Sequence, residues 1–251
     1  MQNRNESTDS QYIYLTNSAR TKGKDYYFFS LTSLTSVELR ENALRSLPAS
    51  FENLKNLERL DLGDNELQDL PPFIGQLTKL NELWLDHNLL FRLPKEIGNL
   101  IQLVCLDVSE NQLDELPDEI GNLKCLSDFL ASQNNLDRLP PTVGQLSNLT
   151  VLKLEQNKLS KLNPNVRYCT KLQELFLREN LLEELGDSIA ALTNLKILNM
   201  DRNRITFVTE RIENLKELGV LSVRMNLIER LPDEIGACVK LMVIDVSGNS
   251  V

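Results

Sequence analysis

Most side chains able to do chemistry in this 251-residue chain are carboxylates, set among one histidine and four cysteines. Pairs such as Asp86 with Asp107 or Asp61 could divide acid and base roles only if burial or crowding drove their pKa values apart. On an open, wet face they should titrate near the ordinary carboxylate range and serve binding. The single histidine, His87, cannot support a Ser-His-Asp or Cys-His arrangement without neighbours that the surrounding sequence does not supply. There is no G-x-x-x-x-G-K-S/T, no G-x-G-x-x-G and no H-E-x-x-H. Cys105, Cys125, Cys169 and Cys238 form no C-x-x-C pair, which argues against zinc. No catalytic residue, cofactor, metal or small-molecule substrate is therefore expected, and the carboxylates read as a recognition surface.

Charge and composition narrow the partner. A net charge of −9 speaks against nucleic acid, which needs a concentrated basic face, and against anionic lipid. No run approaches the length of a membrane span, so direct membrane insertion is not expected. The start, MQNRNESTDSQ, lacks the basic and apolar regions of a signal peptide, and its second residue is Gln2 rather than the glycine of myristoylation. The first 104 residues hold no cysteine, so the four thiols read as reduced and the chain as cytoplasmic. Two N-x-S/T triplets, at Asn5 and Asn148, are chance matches on this reading.

What positions these groups is a repeat. Asn42, Asn65, Asn88, Asn111, Asn134, Asn157, Asn180, Asn203, Asn226 and Asn249 follow one another at 23-residue intervals. Each closes the phrase apolar-x-x-apolar-x-apolar-x-x-Asn-x-apolar, as in Leu57, Leu60, Leu62, Asn65 and Leu67. That phrase is the leucine-rich repeat, and its period implies a solenoid: a right-handed α/β horseshoe with a parallel concave sheet and short helical or 3-10 convex segments. Period-two alternation makes a strand of each apolar-x-apolar pair, sending Leu60 and Leu62 inward and Arg59, Asp61 and Gly63 outward. The asparagine follows at the turn, where its amide can satisfy backbone groups that would otherwise be buried unpaired. The ten are expected to stack as a structural ladder.

A second phrase, Leu70-Pro71-Pro72-Phe73-Ile74-Gly75-Gln76-Leu77, begins with proline, which presets φ for a short helical segment. Ile74, Ile97, Ile120, Val143, Val166, Ile189, Ile212 and Ile235 share one offset and should fill the core behind the sheet. The glycine after several of them implies either a permissive turn or close packing. Leu-Pro is missing at Leu162-Asn163, Leu185-Gly186 and Val208-Thr209, so the convex side is expected to be less regular there. Residues 1–30 read as an irregular segment, with Tyr26-Tyr27-Phe28-Phe29 covering the first unit. Residues 31–251 read as about ten units. Val251 falls two residues beyond the tenth asparagine, so the last unit is expected to be truncated.

The outward columns form a map. In the first five units Glu38, Glu41, Asp61, Asp64, Glu66, Glu82, Asp86, Asp107, Glu110 and Asp128 are opposed only by Arg40 and Arg59. In the last five, Glu155, Glu174, Glu179, Asp201 and Asp245 face Lys153, Lys158, Arg178, Arg202, Arg204 and Arg224. One end is strongly acidic, which favours a partner with a basic segment, and the other is mixed. Trp84, Leu130 and Phe176 share one column at 46-residue spacing, about 10 Å apart along the face. Scattered surface apolars are normal, but Trp84 is the only tryptophan, and aromatics at the centre of an open sheet are typical anchors. The partner-binding set expected is Trp84, Leu130, Phe176, Asp61, Asp86, Asp107, Glu110, Lys153, Arg178 and Arg202.

The runs Leu83-Trp84-Leu85-Asp86, Leu103-Val104-Cys105-Leu106-Asp107-Val108-Ser109-Glu110-Asn111 and Glu115-Leu116-Pro117 resemble the LAP family of Scribble-type proteins, which join leucine-rich repeats to PDZ domains. The likeness runs from about Val37 to Val246. It implies a non-enzymatic scaffold of cell polarity and junctions, held at the basolateral cortex through partner proteins. Departures are the first 30 residues, fewer repeats, no N-terminal cysteine pair and no PDZ sequence, which suggest a fragment or truncated product. A Ras-pathway scaffold with 23-residue repeats is the alternative within the class. A cell-surface receptor ectodomain is the alternative of another class.

Overall fold

The computed structural model describes residues 12–14 and 31–251. Among the described residues, eleven short strands form one parallel sheet: β1 (Tyr12–Tyr14), β2 (Ser36–Glu38), β3 (Arg59–Asp61), β4 (Glu82–Trp84), β5 (Cys105–Asp107), β6 (Asp128–Leu130), β7 (Val151–Lys153), β8 (Glu174–Phe176), β10 (Ile197–Asn199), β12 (Val220–Ser222) and β13 (Val243–Asp245). A separate pair is formed by β9 (Glu184–Leu185) and β11 (Phe207–Val208). From β2 onward each residue of the main sheet pairs with the residue 23 positions later, as Leu60 with Leu83 and Leu83 with Leu106. Sequence period and ladder register are thus the same number. Within the segment expected to be irregular, Tyr12–Tyr14 adds a strand parallel to β2. Tyr26 to Phe29, read as a cover for the first unit, lie outside the described residues.

Inward side chains from every turn merge into one continuous apolar core, with Leu60, Leu83, Leu106 and Phe129 fully buried. The convex valines and isoleucines from Ile74 to Ile212 are buried as expected, whereas Ile235 is only partly so. Along the inward row of the sheet, Leu106 is 0% exposed and Ile244 of β13 is 44% exposed, because no described strand lies on the outer side of β13.

From Asn65 to Asn226 the asparagine ladder has one geometry. Asn111 Nδ2 donates to the carbonyls of Val108 and Ser109 in its own turn, at 3.0 Å each, and to Leu85 of the preceding unit at 2.9 Å. Its Oδ1 accepts from the Leu90 amide at 3.0 Å, also in the preceding unit. The residue before each asparagine is left-handed: nine non-glycine residues, from Glu41 to Met225, hold φ between 51° and 56°, and Gly248 has φ 74°. An L-residue there costs roughly 1–2 kcal/mol, so the turn persists because the asparagine captures the carbonyls it exposes.

On the convex side most units make a 3-10 turn after proline, such as Lys95–Asn99 after Pro94. At Leu185-Gly186 and Val208-Thr209 the convex side departs from the other units, as anticipated, whereas at Leu162-Asn163 it keeps an ordinary 3-10 turn, Pro164–Tyr168. Asp187–Ala190 is one turn of α-helix, α1, and β9 pairs with β11 beside it. Thr209 stands where other units have proline, and its amide donates to Leu185 O at 2.9 Å. Proline has no such amide, so it forbids this second ladder elsewhere. Thr209 and Asn163 then cap their own 3-10 turns through the side chain.

The glycines after the convex isoleucines serve close packing, not an unusual φ. A Cβ on Gly98 would lie 2.5 Å from Glu119 O, and one on Gly121 would lie 2.6 Å from Thr142 O. At Gly236 a Cβ would meet nothing within 4 Å. Gly98→Ala should therefore destabilise the chain by about 1–3 kcal/mol through overpacking between units. Gly236→Ala should be neutral or stabilising by about 0.4–1 kcal/mol. Denaturant unfolding of the two variants checks this, and equal midpoints would contradict inter-unit packing as the reason for glycine.

Candidate functional site

The outward third residues of successive strands form one column: Glu38, Asp61, Trp84, Asp107, Leu130, Lys153, Phe176 and Asn199. The structure therefore brings Trp84, Leu130 and Phe176 into one line on alternate strands, each half-buried. Sheet hydrogen bonds hold the line rigidly, so side-chain freedom is the main entropy a partner must overcome there. Cations already lie against both aromatic rings. The Arg59 guanidinium is 6.0 Å from the Trp84 ring centre, and Lys153 Nζ is 5.4 Å from that of Phe176. Such positions exploit the negative face of an aromatic ring. Arg59 also pairs with Glu82 at 2.8 Å and Glu38 at 3.6 Å.

The acidic half is not the open, wet face expected from sequence. Asp61, Asp86 and Asp107 are only 7%, 9% and 8% exposed. Arg40 reaches across two units, contacting Asp61 at 3.2 Å, Asp64 at 2.5 Å and Asp86 at 2.6 Å. Gly63 makes this possible, because a Cβ there would collide with the Arg40 guanidinium. The expectation that these carboxylates titrate normally is corrected for two of them. Burial pushes Asp86 up, but the hydrogen bond and charge of Arg40, assisted by His87, outweigh it and leave the carboxyl below the usual range. Asp107 is raised by burial, only partly offset by hydrogen bonds from Ser109 and by Arg40. Its carboxylate accepts from the Ser109 amide at 2.9 Å, and among the described residues it has no ion-pair partner.

The remaining expected residues are distributed around this line. Glu110 pairs with His87 Nε2 at 2.8 Å, and His87 Nδ1 lies 3.2 Å from Asp86. Arg178 and Arg202 both turn onto Glu179, at 2.8 and 3.2 Å, and the Arg178 hydrogen bond lowers the Glu179 carboxyl. They do not join the apolar line. Asp64, Asp86 and His87 offer ligand atoms within 4.8 Å of one another, but Arg40 sits on both carboxylates, and a fixed cation there opposes a metal ion. All four cysteines are free. Cys169 and Cys238 are core residues as expected, whereas Cys105 lies in the outward first-residue row of the sheet. Its thiol is pushed up to about 12 by burial and by Asp128, Asp107 and Glu82, which leaves it a poor nucleophile. Sequence reasoning missed the Arg40 bridge. The available signal was a long basic side chain one unit before a glycine in the same column.

Comparison with known proteins agrees with this architecture. Three leucine-rich repeat models match, a leucine-rich repeat region over residues 93–187, a leucine rich repeat over 11–67 and a two-copy repeat over 55–100. None of these descriptions is specific to the LAP family. No curated protein matches the sequence. Among solved structures, a leucine-rich repeat protein of Leptospira interrogans is 33% identical with a TM-score of 0.72, matching 90% of this chain and 63% of its own. The plant peptide hormone receptor RGFR1, in complex with RGF2, is 31% identical with a TM-score of 0.66, over 88% of this chain and 41% of the receptor. PEPR1 with AtPEP1 is 26% identical with a TM-score of 0.77, over 88% and 32%. The chain thus spans less than two thirds of each of these proteins.

The two buried aspartates should have opposite pH signatures. Asp86, with its pKa lowered, contributes stability above the unfolded-state pKa of about 3.9 and loses it as pH falls through the folded value. Asp107, with its pKa raised, binds its proton more tightly when folded, so its ionisation subtracts stability as pH rises through the folded value. Asp86→Asn should therefore cost about 1–2 kcal/mol at neutral pH, discounted for the one-third exposure of Arg40, and the difference should vanish in acid. Asp107→Asn should gain on wild type as pH rises. Unfolding free energies measured between about pH 2 and 7 decide the point, and parallel curves for both variants would contradict this electrostatic assignment.

Proposed function

We propose that this leucine-rich repeat solenoid is a non-enzymatic scaffold that holds partner proteins on its concave face, in the manner of LAP-family polarity scaffolds. The observation that carries the binding reading is the line of Trp84, Leu130 and Phe176, three half-buried apolar side chains held on alternate strands amid charged neighbours. Apolar anchors with polar surroundings are the usual anatomy of a protein interface. Leucine-rich repeat domains are in general protein-interaction modules, and RGFR1 with RGF2 and the Toll–Spatzle complex are solved relatives of this fold with a bound partner.

The finer reading rests on the repeat strings around Trp84 and Cys105 that resemble the LAP family. It places the chain in the cytoplasm, recruited to the basolateral cortex and junctions by partners rather than by lipid. Likeness to plant receptors supports the receptor-ectodomain alternative. Four free cysteines, two of them buried core residues, favour a reducing compartment instead.

Trp84→Ala combined with Phe176→Ala should weaken partner capture at least about tenfold while circular dichroism and the unfolding midpoint change little, since half-exposed anchors contribute mainly to binding. Undiminished recovery of partners by the double variant in a quantitative pull-down would remove the concave site from consideration. A fluorescent fusion in polarised epithelial cells addresses the finer reading. Basolateral accumulation that the double variant loses is the expected result, and uniform cytoplasmic signal for wild type would count against a polarity role.

A further inference from the structure

The anchors and the charges between them are ordered, and their order specifies the partner's backbone. Along the column the sequence is Trp84, Asp107, Leu130, Lys153, Phe176, one residue per strand. Strands stack about 4.8 Å apart, so the apolar anchors repeat every 9.6 Å or so and span about 19 Å in two steps. A negative charge falls midway in the first gap and a positive one midway in the second.

Few peptide conformations match that interval on a single face. An extended strand returns to the same face every two residues, about 6.7 Å. An α-helix returns after seven residues, about 10.5 Å, and overshoots by about 2 Å over two steps. A polyproline II helix has three residues per turn and rises about 3.1 Å per residue, so it repeats at about 9.3 Å. Side-chain tips converge on the concave side of a horseshoe, which favours the interval slightly below the strand spacing. The polyproline helix also exposes its own backbone and enters binding already ordered, which lowers the entropic cost of docking.

Asp107 supplies an independent observation. It is 8% exposed and lies between two apolar anchors without an ion-pair partner among the described residues, whereas Asp61 and Asp86, nearly as buried, share Arg40. A buried carboxylate is costly until a cation reaches it. Arginine suits the place, because its planar fork can meet a carboxylate bidentately and its charge is attracted to the face of the neighbouring Trp84, whose ring centre already has the Arg59 guanidinium 6.0 Å away. Lys153, drawn over Phe176, offers the reciprocal site for an acid.

Resting on the concave-site reading above, we infer that the face receives a polyproline II segment of the form apolar-x-x-apolar-x-x-apolar. Its three apolar side chains seat on Trp84, Leu130 and Phe176. An arginine from the first gap pairs with Asp107, and an acid from the second gap pairs with Lys153.

The test uses the whole chain and three immobilised synthetic peptides in surface plasmon resonance. The first is Leu-Pro-Arg-Leu-Pro-Glu-Leu with Gly-Ser flanks. The second has the same composition with leucine at alternate positions, and the third is an alanine-based helix with leucine every seventh residue. The first should bind at least about tenfold more tightly than either control. Arginine to glutamine in that peptide should cost about tenfold on wild type and almost nothing on Asp107→Asn, the signature of a direct pair. The peptide substitution is measured on unaltered protein, so it stands even if Asp107→Asn folds poorly. Equal affinity across spacings, no binding of the first peptide, or indifference to the arginine would each overturn the inference. Preference for the helical peptide, abolished by Trp84→Ala, would overturn it while leaving the concave site intact. The concave site itself is decided separately, by partner capture with the double variant.

Discussion

Each structural unit depends on an asparagine amide satisfying backbone groups that belong to two units at once. Asn65, like Asn111, donates to carbonyls in its own turn and to the preceding unit while accepting an amide from that unit. A left-handed residue just before it bends the chain sharply enough to leave those carbonyls pointing inward. Neither feature would persist alone. The strained turn without the amide leaves buried acceptors unpaired, and the amide without the turn has nothing to bind. Because the bonds cross between units, they also set the stacking distance and hence the register of every strand.

The outer face inherits that register. Residues 23 apart become neighbours about 4.8 Å from each other, so a side chain acts on its column rather than on its sequence neighbours. Arg40 shows the consequence, with its three carboxylates 21, 24 and 46 residues away. One guanidinium neutralises much of what sequence counting scores as an acidic surface, and Asp107, beyond its direct reach, accepts from Ser109 but has no ion-pair partner among the described residues. The same proximity sets Arg59 and Lys153 against the aromatic anchors and makes a charged face also the apolar one.

On the convex side, small differences in residue type decide local structure. Proline at the head of a segment removes an amide that could otherwise join a second ladder. Thr209 restores that amide and permits the β9–β11 pair. Glycine at the following position lets a carbonyl of the next unit approach, so the isoleucine–glycine pair sets both core filling and inter-unit distance.

The fold was legible in the sequence because its rules are local and repeated. A 23-residue interval, alternation of apolar residues and an asparagine at each turn determine the solenoid, its parallel sheet and the single column shared by Trp84, Leu130 and Phe176. The apolar line follows from that register, so it too was readable. What only the tertiary structure decided is how charges settle across units. A column map says which residues are neighbours, but not that Gly63 leaves room for the Arg40 guanidinium, nor that Arg178 and Arg202 share Glu179. Those outcomes turn on side-chain length, free volume and desolvation, which depend on the packed surroundings and not on periodicity.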